Sequence, residues 1–451
     1  MSDQPSLFDE EMLPQPSVPV SSARTERAPA KAKTGAEGSR QTLRVLHSSD
    51  WHLGRLLYGQ KRYDEFAAFL DWMLAQIEHL NVEVLLIAGD LFDTTTPSNR
   101  AQALYYRFLH QVARSRCRHV VIIGGNHDSP SFLNAPSGLL KALDVHVVGA
   151  ACDNPADEVV LLKAENGAPE AIICAVPYLR DRDIRQSEAG ESLEDKDRKL
   201  VQGIREHYAQ VCVAAEELRE SLQVDVPLIG MGHLFAAGGK TLDGDGVRDL
   251  YVGSLAQVGV DAFPDCLDYV ALGHLHVPQA VSGCEQIRYS GSPLAMGFGE
   301  AKQQKSLCLI EFEGRRPRLE LIDIPRFQRL ERIKGDQAQL SAALDKLAQE
   351  QTSIWLEVLY EGEQVAADLR DWLEQHTDGT QLTILRVRNN RVVERILARS
   401  GEEETLDDLE PMQVFERALE LHQVPETQQD ELKRLFGSVL QSMAEQDHRA
   451  E

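Results

Sequence analysis

Short apolar runs in this chain end, five times over, on a residue of metal-ligand type. Residues 43–47 lead into Ser49, Asp50, Trp51 and His52, and residues 82–88 into Gly89, Asp90, Leu91, Phe92 and Asp93. Residues 119–123 lead into Gly124, Gly125, Asn126, His127 and Asp128. Residues 226–231 lead into Gly232 and His233, and residues 269–272 into Gly273, His274, Leu275 and His276. Runs this short and this apolar suit strands buried on both faces. Ligand sites in open α/β sheets form at the carboxyl ends of the strands. Strand ends carrying carboxylate, amide and imidazole would therefore converge on one place. The glycines before Asp90, Asn126, His233 and His274 let the backbone turn sharply as it leaves the sheet.

The spaces between these runs complete the fold class. Phe66, Phe69, Leu70, Met73, Ile77 and Leu80 fall on one helical stripe. Ser98 can cap a further helix carrying Leu104, Phe108 and Val112. A β-α-β-α-β order predicts an α/β sandwich with a largely parallel core. We expect a tail without fixed structure over residues 1–42, which are rich in Pro, Ser, Ala and charge. The main domain then spans 43–325, with a long charged helix within 182–222. Residues 326–400 predict a small α+β capping domain. An acidic linker follows at 401–410, and two amphipathic helices separated by Pro425 close the chain. No apolar stretch approaches the ~20 residues that span a membrane, and no secretion signal precedes the first strand. Seven scattered cysteines without a C-x-x-C pair read as reduced thiols of a cytoplasmic protein.

The ligand types narrow the chemistry. Asp50, Asp90, Asn126, His52, His233, His274 and His276 form a mixed oxygen and nitrogen set with no thiolate. That set suits Mn, Fe, Zn or Mg in a working site rather than a structural zinc. Seven ligands are too many for one ion and about right for two that share a bridge. A bridging carboxylate holds two ions ~3.5–4 Å apart, the spacing that activates hydroxide and clamps a phosphate. Asp90, between the outer ligand groups, is the natural bridge. Each fragment alone has a plainer meaning: Asp-x-His is usually a loop pair, and Gly-Asp or Gly-Asn a turn. Their order together removes that meaning. His47, His79, His110, His119, His146, His207, His376, His422 and His448 read as ordinary surface or core histidines.

D-x-H, G-D-x-x-D, G-N-H-D, G-H and G-H-x-H in this order resemble the motif set of calcineurin-like metallophosphoesterases. Ser49 to Gly54, Pro177-Tyr178-Leu179-Arg180, and Tyr269 to Pro278 followed by Tyr289-Ser290-Gly291-Ser292-Pro293 resemble, more narrowly, the SbcD proteins of bacterial SbcCD nucleases. The resemblance runs from about Leu43 to the C-terminal helices; the N-terminal extension lies outside it. It implies a Mn-dependent DNA exonuclease and endonuclease working with the SbcC ATPase, as a homodimer within a heterotetramer. It implies Asp50, His52, Asp90 and His276 around one metal and Asp90, Asn126, His233 and His274 around the other. His127 is then the acid at the leaving oxygen, and Asp93 the carboxylate that orients it. A protein phosphatase would usually carry Arg-Gly after the second Asp, where this chain has Thr94-Thr95. The remaining alternatives are a phosphodiesterase for a smaller substrate, which has no need of the extra domain and helices, and an inactive scaffold, against which the complete ligand set argues.

Binding surfaces are legible as charge and stripe. The net charge of −24 opposes long-range steering toward nucleic acid, so contacts with DNA must be local. Residues 326–400 hold 11 Lys/Arg against 12 Asp/Glu, and Arg386, Arg388 and Arg391 cluster near a turn at Asn389-Asn390. Arg180 and Arg182 follow a strand end; these five are the candidate phosphate contacts. Residues 401–451 carry 14 Asp/Glu against 4 Lys/Arg, which favours a protein partner. Leu432, Leu435, Phe436 and Val439, with Phe415 on the preceding helix, form its apolar stripe. Gln4, Leu7 and Phe8 resemble the Gln-x-x-Leu-Phe pentapeptides that bind the sliding clamp, on a tail that would act as a tether.

Overall fold

The computed structural model describes residues 42–184, 192–236, 258–362 and 366–389, with short stretches between 412 and 437. Gln4, Leu7, Phe8, Arg391 and Val439 lie outside the described residues. The chain begins with β1 (Thr42–Ser48), a short hairpin of β2 (Leu56–Leu57) and β3 (Gln60–Lys61), and α1 (Tyr63–His79). It continues with β4 (Val84–Ala88), α2 (Asn99–Val112), β5 (His119–Ile123), α3 (Pro130–Asn134), α4 (Ser137–Lys141) and β6 (Val145–Val148). Next come β7 (Val159–Lys163), β8 (Pro169–Ala175), α5 (Asp181–Ile184), α6 (Leu193–Leu222), β9 (Leu228–His233) and β10 (Tyr269–Gly273). Then follow β11 (Gln279–Val281), β12 (Cys284–Tyr289), β13 (Ser306–Glu313) and β14 (Arg316–Asp323). A separate group closes the series: β15 (Arg329–Gly335), α7 (Gln337–Ala348), β16 (Ile354–Tyr360), α8 (Ala366–Thr377) and β17 (Leu382–Asn389).

Two six-stranded sheets are formed, in the orders β14-β13-β1-β4-β5-β6 and β11-β12-β10-β9-β8-β7. Their inner strands are parallel, and the antiparallel pairings fall toward the edges. Successive side chains of a strand point to opposite faces, which sorts the core into layers. On β4, Val84, Leu86 and Ala88 join the core that holds Ile173, Ile229 and Ala271 of the second sheet. Leu85 and Ile87 point the other way, onto Phe66, Phe69 and Met73 of α1 and Phe108 of α2. Tyr208, Val211 and Ala215 of α6 cover the outer face of the second sheet. The result is the expected α/β sandwich, helix-sheet-sheet-helix. The helical stripes are where periodicity puts them: Phe66, Phe69, Leu70, Met73 and Ile77 are buried on α1. Ser98 caps α2, its hydroxyl accepting from the Ala101 amide at 3.2 Å. Each such fully buried apolar side chain contributes about 1.5–3 kcal/mol.

The third sheet, β15-β16-β17, is parallel throughout. Its helices are therefore crossovers, which differs from the α+β order read above. The difference comes from β15, whose buried Leu330 and Ile333 are three apart and so show no alternation in sequence. Leu57 and Phe298 of the main domain pack with Leu330 and Trp355 of this sheet. All seven cysteines are free. Among the described residues no helix is long and apolar enough to cross a membrane.

Candidate metal centre

The carboxyl ends of β1, β4, β5, β9 and β10 meet at one edge of the stacked sheets. The loops leaving them are bonded to each other: the Asp50 amide donates to the Gly89 carbonyl and the His52 amide to the Asp90 carbonyl, each at 3.0 Å. The His274 amide donates to Asp50 Oδ1 at 2.9 Å, and the His127 amide to Asp90 Oδ1 at 2.8 Å. Asp50, His52, Asp90, His233, His274 and His276 are all buried. Close approach explains Gly125: a Cβ there would collide with the Asp90 carboxylate.

The geometry makes Asp90 central. Its Oδ2 lies 3.6 Å from His52 Nε2 and 3.3 Å from His233 Nε2. His52 Nε2 is 3.2 Å from His276 Nε2, and His233 Nε2 is 2.9 Å from Asn126 Oδ1. Donor atoms of Asp50, His52 and His276, and likewise of Asp50, Asp90 and His233, all fall within 4.8 Å of one another. The His274 ring stands 5.5 Å from that of His233. All seven residues read from sequence are thus brought together.

The Nδ1 atoms of His233, His276 and His52 face acceptors on the outside. His233 Nδ1 donates to the Ala88 carbonyl at 2.9 Å. His276 Nδ1 faces Glu300 Oε1 at 3.6 Å, and His52 Nδ1 faces Asp93 Oδ1 at 3.3 Å. Protons held on the Nδ1 side leave Nε2 lone pairs aimed inward, as metal-binding histidines require. Burial tends to lower the pKa of His233, but the Asp90 and Asp50 carboxylates lift it to about 9. Burial raises Asp50 as well. A pocket that draws positive charge this strongly fits divalent cations, and the donor set fits them chemically.

Several supports stand outside the ligand set. The Asp128 carboxylate accepts from the amides of Leu91 at 3.1 Å, Phe92 at 3.0 Å and Gly125 at 2.9 Å, tying the second and third loops together. Burial, with Asp90 nearby, pushes its pKa up to about 6. Ser49 Oγ donates to Asp50 Oδ2 at 2.5 Å and lies 2.8 Å from Ser290 Oγ. Glu300, fully buried, pairs with buried Lys305 behind His276.

His127 sits on the rim, half-buried, its ring 4.8 Å from that of His52. The expected carboxylate support is replaced by a different contact. His127 Nδ1 donates to the backbone carbonyl of Asp93 at 2.9 Å. The Asp93 carboxylate instead turns to Arg55 at 3.2 Å and to His52. The reason is charge: burial tends to raise the Asp93 carboxyl, and the His52 contact with the Arg55 guanidinium holds it below its ordinary value.

The chain matches the family model described as calcineurin-like phosphoesterase over residues 43–278. It matches a second, described as type 5 capsule protein repressor C-terminal domain, over residues 326–423. It is 35% identical to the SbcD protein of the SbcCD nuclease of Escherichia coli, over 89% of this chain and 99% of that one. It is 34% identical to that of Rhodobacter capsulatus over 68% of this chain and 76% of the relative. With that of Bacillus subtilis the identity is 33%, over 60% and 66% respectively. This chain belongs to the SbcD family of calcineurin-like phosphoesterases. Family membership makes it a hydrolase, a nuclease subunit of the metallophosphoesterase type that uses divalent metal.

The SbcD-family surfaces outside the centre are distributed unevenly. Arg180 is half-buried, with its backbone amide donating to the Asp183 carboxylate at 3.0 Å. Arg182 and Arg388 are exposed. Arg386 is half-buried and engaged by groups of the protein itself, which argues against its reading as a phosphate contact. Its guanidinium donates to fully buried Glu357 at 3.2 Å and to the Tyr58 hydroxyl at 2.9 Å, and lies over the Tyr58 ring. A buried carboxylate needs paired charge, and Glu357 takes two cations, Arg386 and Arg332. In the C-terminal stretches Phe415 stacks on Phe436 at 4.1 Å, and Lys433 pairs with Glu416 at 3.0 Å. The two stripes thus meet through Phe415 and Phe436, while Leu432 is half-buried and Leu435 is 58% exposed.

Proposed function

We propose that this chain hydrolyses DNA phosphodiester bonds with two Mn2+ ions, as the nuclease subunit of a complex with an SbcC-type ATPase. The observation that carries this reading is the Asp90 carboxylate shared between the His52 and His233 imidazoles. Asp50, His52, Asp90 and His276 would hold one ion, and Asp90, Asn126, His233 and His274 the other. Bound there, two divalent ions supply an activated water and a clamp on the phosphate. The thiolate-free O/N donor set supports manganese.

The chain's own residues supply the proton and the orientation. With its Nδ1 hydrogen given to the Asp93 carbonyl, His127 keeps Nε2 for proton transfer. A proton on Nε2 can pass to the leaving 3′ or 5′ oxygen. The hydrogen bond from the His127 amide to Asp90 Oδ1 fixes this ring relative to the bridge. Tyr178, whose amide donates to the Gly124 carbonyl at 2.9 Å, carries Arg180 and Arg182 to the same edge. With Arg388, they are the remaining candidates for backbone phosphates. Linear duplex and hairpin-ended DNA should be degraded with Mn2+, by exonuclease and endonuclease action, more strongly with SbcC and ATP. An aryl phosphodiester cleaved while DNA is left intact would point to a smaller substrate.

Partners follow from the termini. The acidic C-terminal helices should dock on SbcC, in an assembly with two copies of each chain. Exposed Leu435 supports this, as does the repulsion of phosphate by that segment. Truncation after Gly401 should keep aryl diesterase activity and lose co-purification with SbcC; undiminished co-purification would exclude the docking. Gln4, Leu7 and Phe8 would anchor the cytoplasmic enzyme on a sliding clamp. A peptide of residues 1–15 should bind clamp protein, and one with Leu7→Ala and Phe8→Ala should not; equal binding by both excludes the anchor.

A further inference from the structure

His119 and His146 take no part in the centre described above, yet strand register brings them together. β5 and β6 run parallel, with Val120 opposite Val145 and Val121 opposite His146. One residue earlier, His119 falls opposite Asp144. Side chains two apart on a strand share a face, and Val121 pairs with His146, so His119 and His146 lie on one face of the sheet, with Asp144 in the turn just before β6. That face is the one that carries Val121 into the core between the sheets. The trio therefore sits at the rim of that core, at the amino end of β5, while Asn126 and His127 follow its carboxyl end. One donor atom from each of the three falls within 4.8 Å of the others.

The tautomer of His119 is set for coordination. The residue is only 8% exposed. Its Nε2 donates to the Lys163 carbonyl of the second sheet at 2.8 Å. The lone pair is then on Nδ1, which is buried and has no hydrogen-bond partner. An unpartnered buried nitrogen is costly. An imidazole that gives one N–H to a backbone carbonyl and keeps its other nitrogen buried without a hydrogen-bond partner has the arrangement of a metal ligand. Asp144 and His146 supply that cluster from the neighbouring strand.

We propose that His119 Nδ1, Asp144 and His146 bind a divalent transition-metal ion of the zinc type, at a site separate from the phosphoesterase centre. Two imidazoles and a single carboxylate favour zinc over the oxygen-seeking magnesium and calcium. Three protein ligands leave one position of a tetrahedron for water. The ion would clip β6, the edge strand of its sheet, to β5, fastening a strand that is paired on one side alone.

The test uses the full chain with saturating Mn2+ at the phosphoesterase centre. Carbethoxylation of His146 by diethyl pyrocarbonate is followed by peptide mass spectrometry as Zn2+ is raised through the micromolar range. His376, far off in sequence on α8, is the internal reference. Zinc should slow modification of His146 by about tenfold or more and leave His376 unchanged. Asp144 has a left-handed backbone, φ 54°, so the variant is Asp144→Asn, which tolerates that conformation. It should need at least about tenfold more zinc for the same protection. Equilibrium dialysis of His146→Gln should show one bound zinc fewer than the parent. No protection of His146, equal protection in Asp144→Asn, or equal zinc content in His146→Gln each overturns the proposal.

Discussion

Removing the carboxylate of Glu300 should damage the metal centre without touching a ligand. Glu300 is fully buried, with Oε1 3.6 Å from His276 Nδ1. Its Oε2 accepts from Lys305 Nζ, from the Met296 amide at 3.2 Å and from Ser292 Oγ at 3.4 Å. Lys305, 5% exposed, also donates to the His276 carbonyl at 2.9 Å and to Ser292 Oγ at 3.0 Å. Breaking a buried ion pair by deleting one partner costs about 3–5 kcal/mol, because the other charge is left unpaired. Glu300→Gln and Lys305→Met should each lose that much in urea unfolding with metal chelated. The double variant leaves neither charge stranded, so it should lose less than the sum of the two by about 3 kcal/mol. Metal should report a second effect. His276 Nδ1 loses its carboxylate only in Glu300→Gln, and that variant should bind Mn2+ about 10–100-fold more weakly. Burial tends to raise the Glu300 carboxyl, but Lys305 and His276 hold it below its ordinary value. Its stabilisation is therefore present above the ordinary carboxylate range and fades as pH falls toward the lowered folded value; the Gln variant lacks that slope. Single-variant losses that simply add, within about 0.5 kcal/mol, would refute the buried-pair reasoning. Parental Mn2+ affinity in Glu300→Gln would refute its role behind His276.

Two further outcomes separate roles that lie close in space. His127→Ala should lower DNA cleavage by about 10²–10⁴-fold with both metals retained by elemental analysis, whereas Asp90→Asn should lose metal as well as rate; metal loss in the first would make His127 a ligand. Arg386→Ala should destabilise the protein by about 1–2 kcal/mol and leave the salt dependence of DNA binding unchanged. Arg388→Ala should reduce that salt slope by about 1, and a reduced slope in Arg386→Ala would restore that residue to the DNA surface.

What could be read in advance follows the reach of sequence periodicity. Strands β1, β4, β5, β8, β9 and β10 are continuous apolar runs because both faces are covered, so the runs themselves were visible. The residues that bond to the ligands were hidden for a different reason. Glu300 meets His276 across 24 residues, and Asp128, visible as the last residue of G-N-H-D, does not show its bond to Leu91 across 37. A carboxylate whose partners are backbone amides or a distant lysine has no local spacing to betray it. The bond from Arg386 to Glu357 was hidden because a cluster of arginines near a turn looks the same whether its acceptors are phosphates or a buried carboxylate on the adjacent strand. His119 and His146 looked ordinary because their meeting depends on the register of β5 with β6, which neither strand shows by itself.

Backbone conformation at the centre adds a physical reason for the rigidity of these loops. Asp50, His52, Asp90 and His274 all have positive φ, at 53°, 46°, 49° and 103°. Left-handed geometry is uncommon for residues other than glycine, and each instance costs of order 1–3 kcal/mol unless surrounding structure enforces it. Here the enforcement is visible in the bonds between loops: Asp50 to Gly89, His52 to Asp90, His274 to the Asp50 carboxylate. Each strained residue is pinned by a neighbour that is itself a ligand or next to one. Relaxing one loop would therefore release its neighbours, and the donor atoms would leave the positions in which they share Asp90. A divalent ion bound to those donors opposes the same relaxation, because it favours the arrangement in which all of them converge. Metal affinity and backbone strain are thus two sides of one equilibrium, and the loops gain in order what the four residues lose in conformational energy.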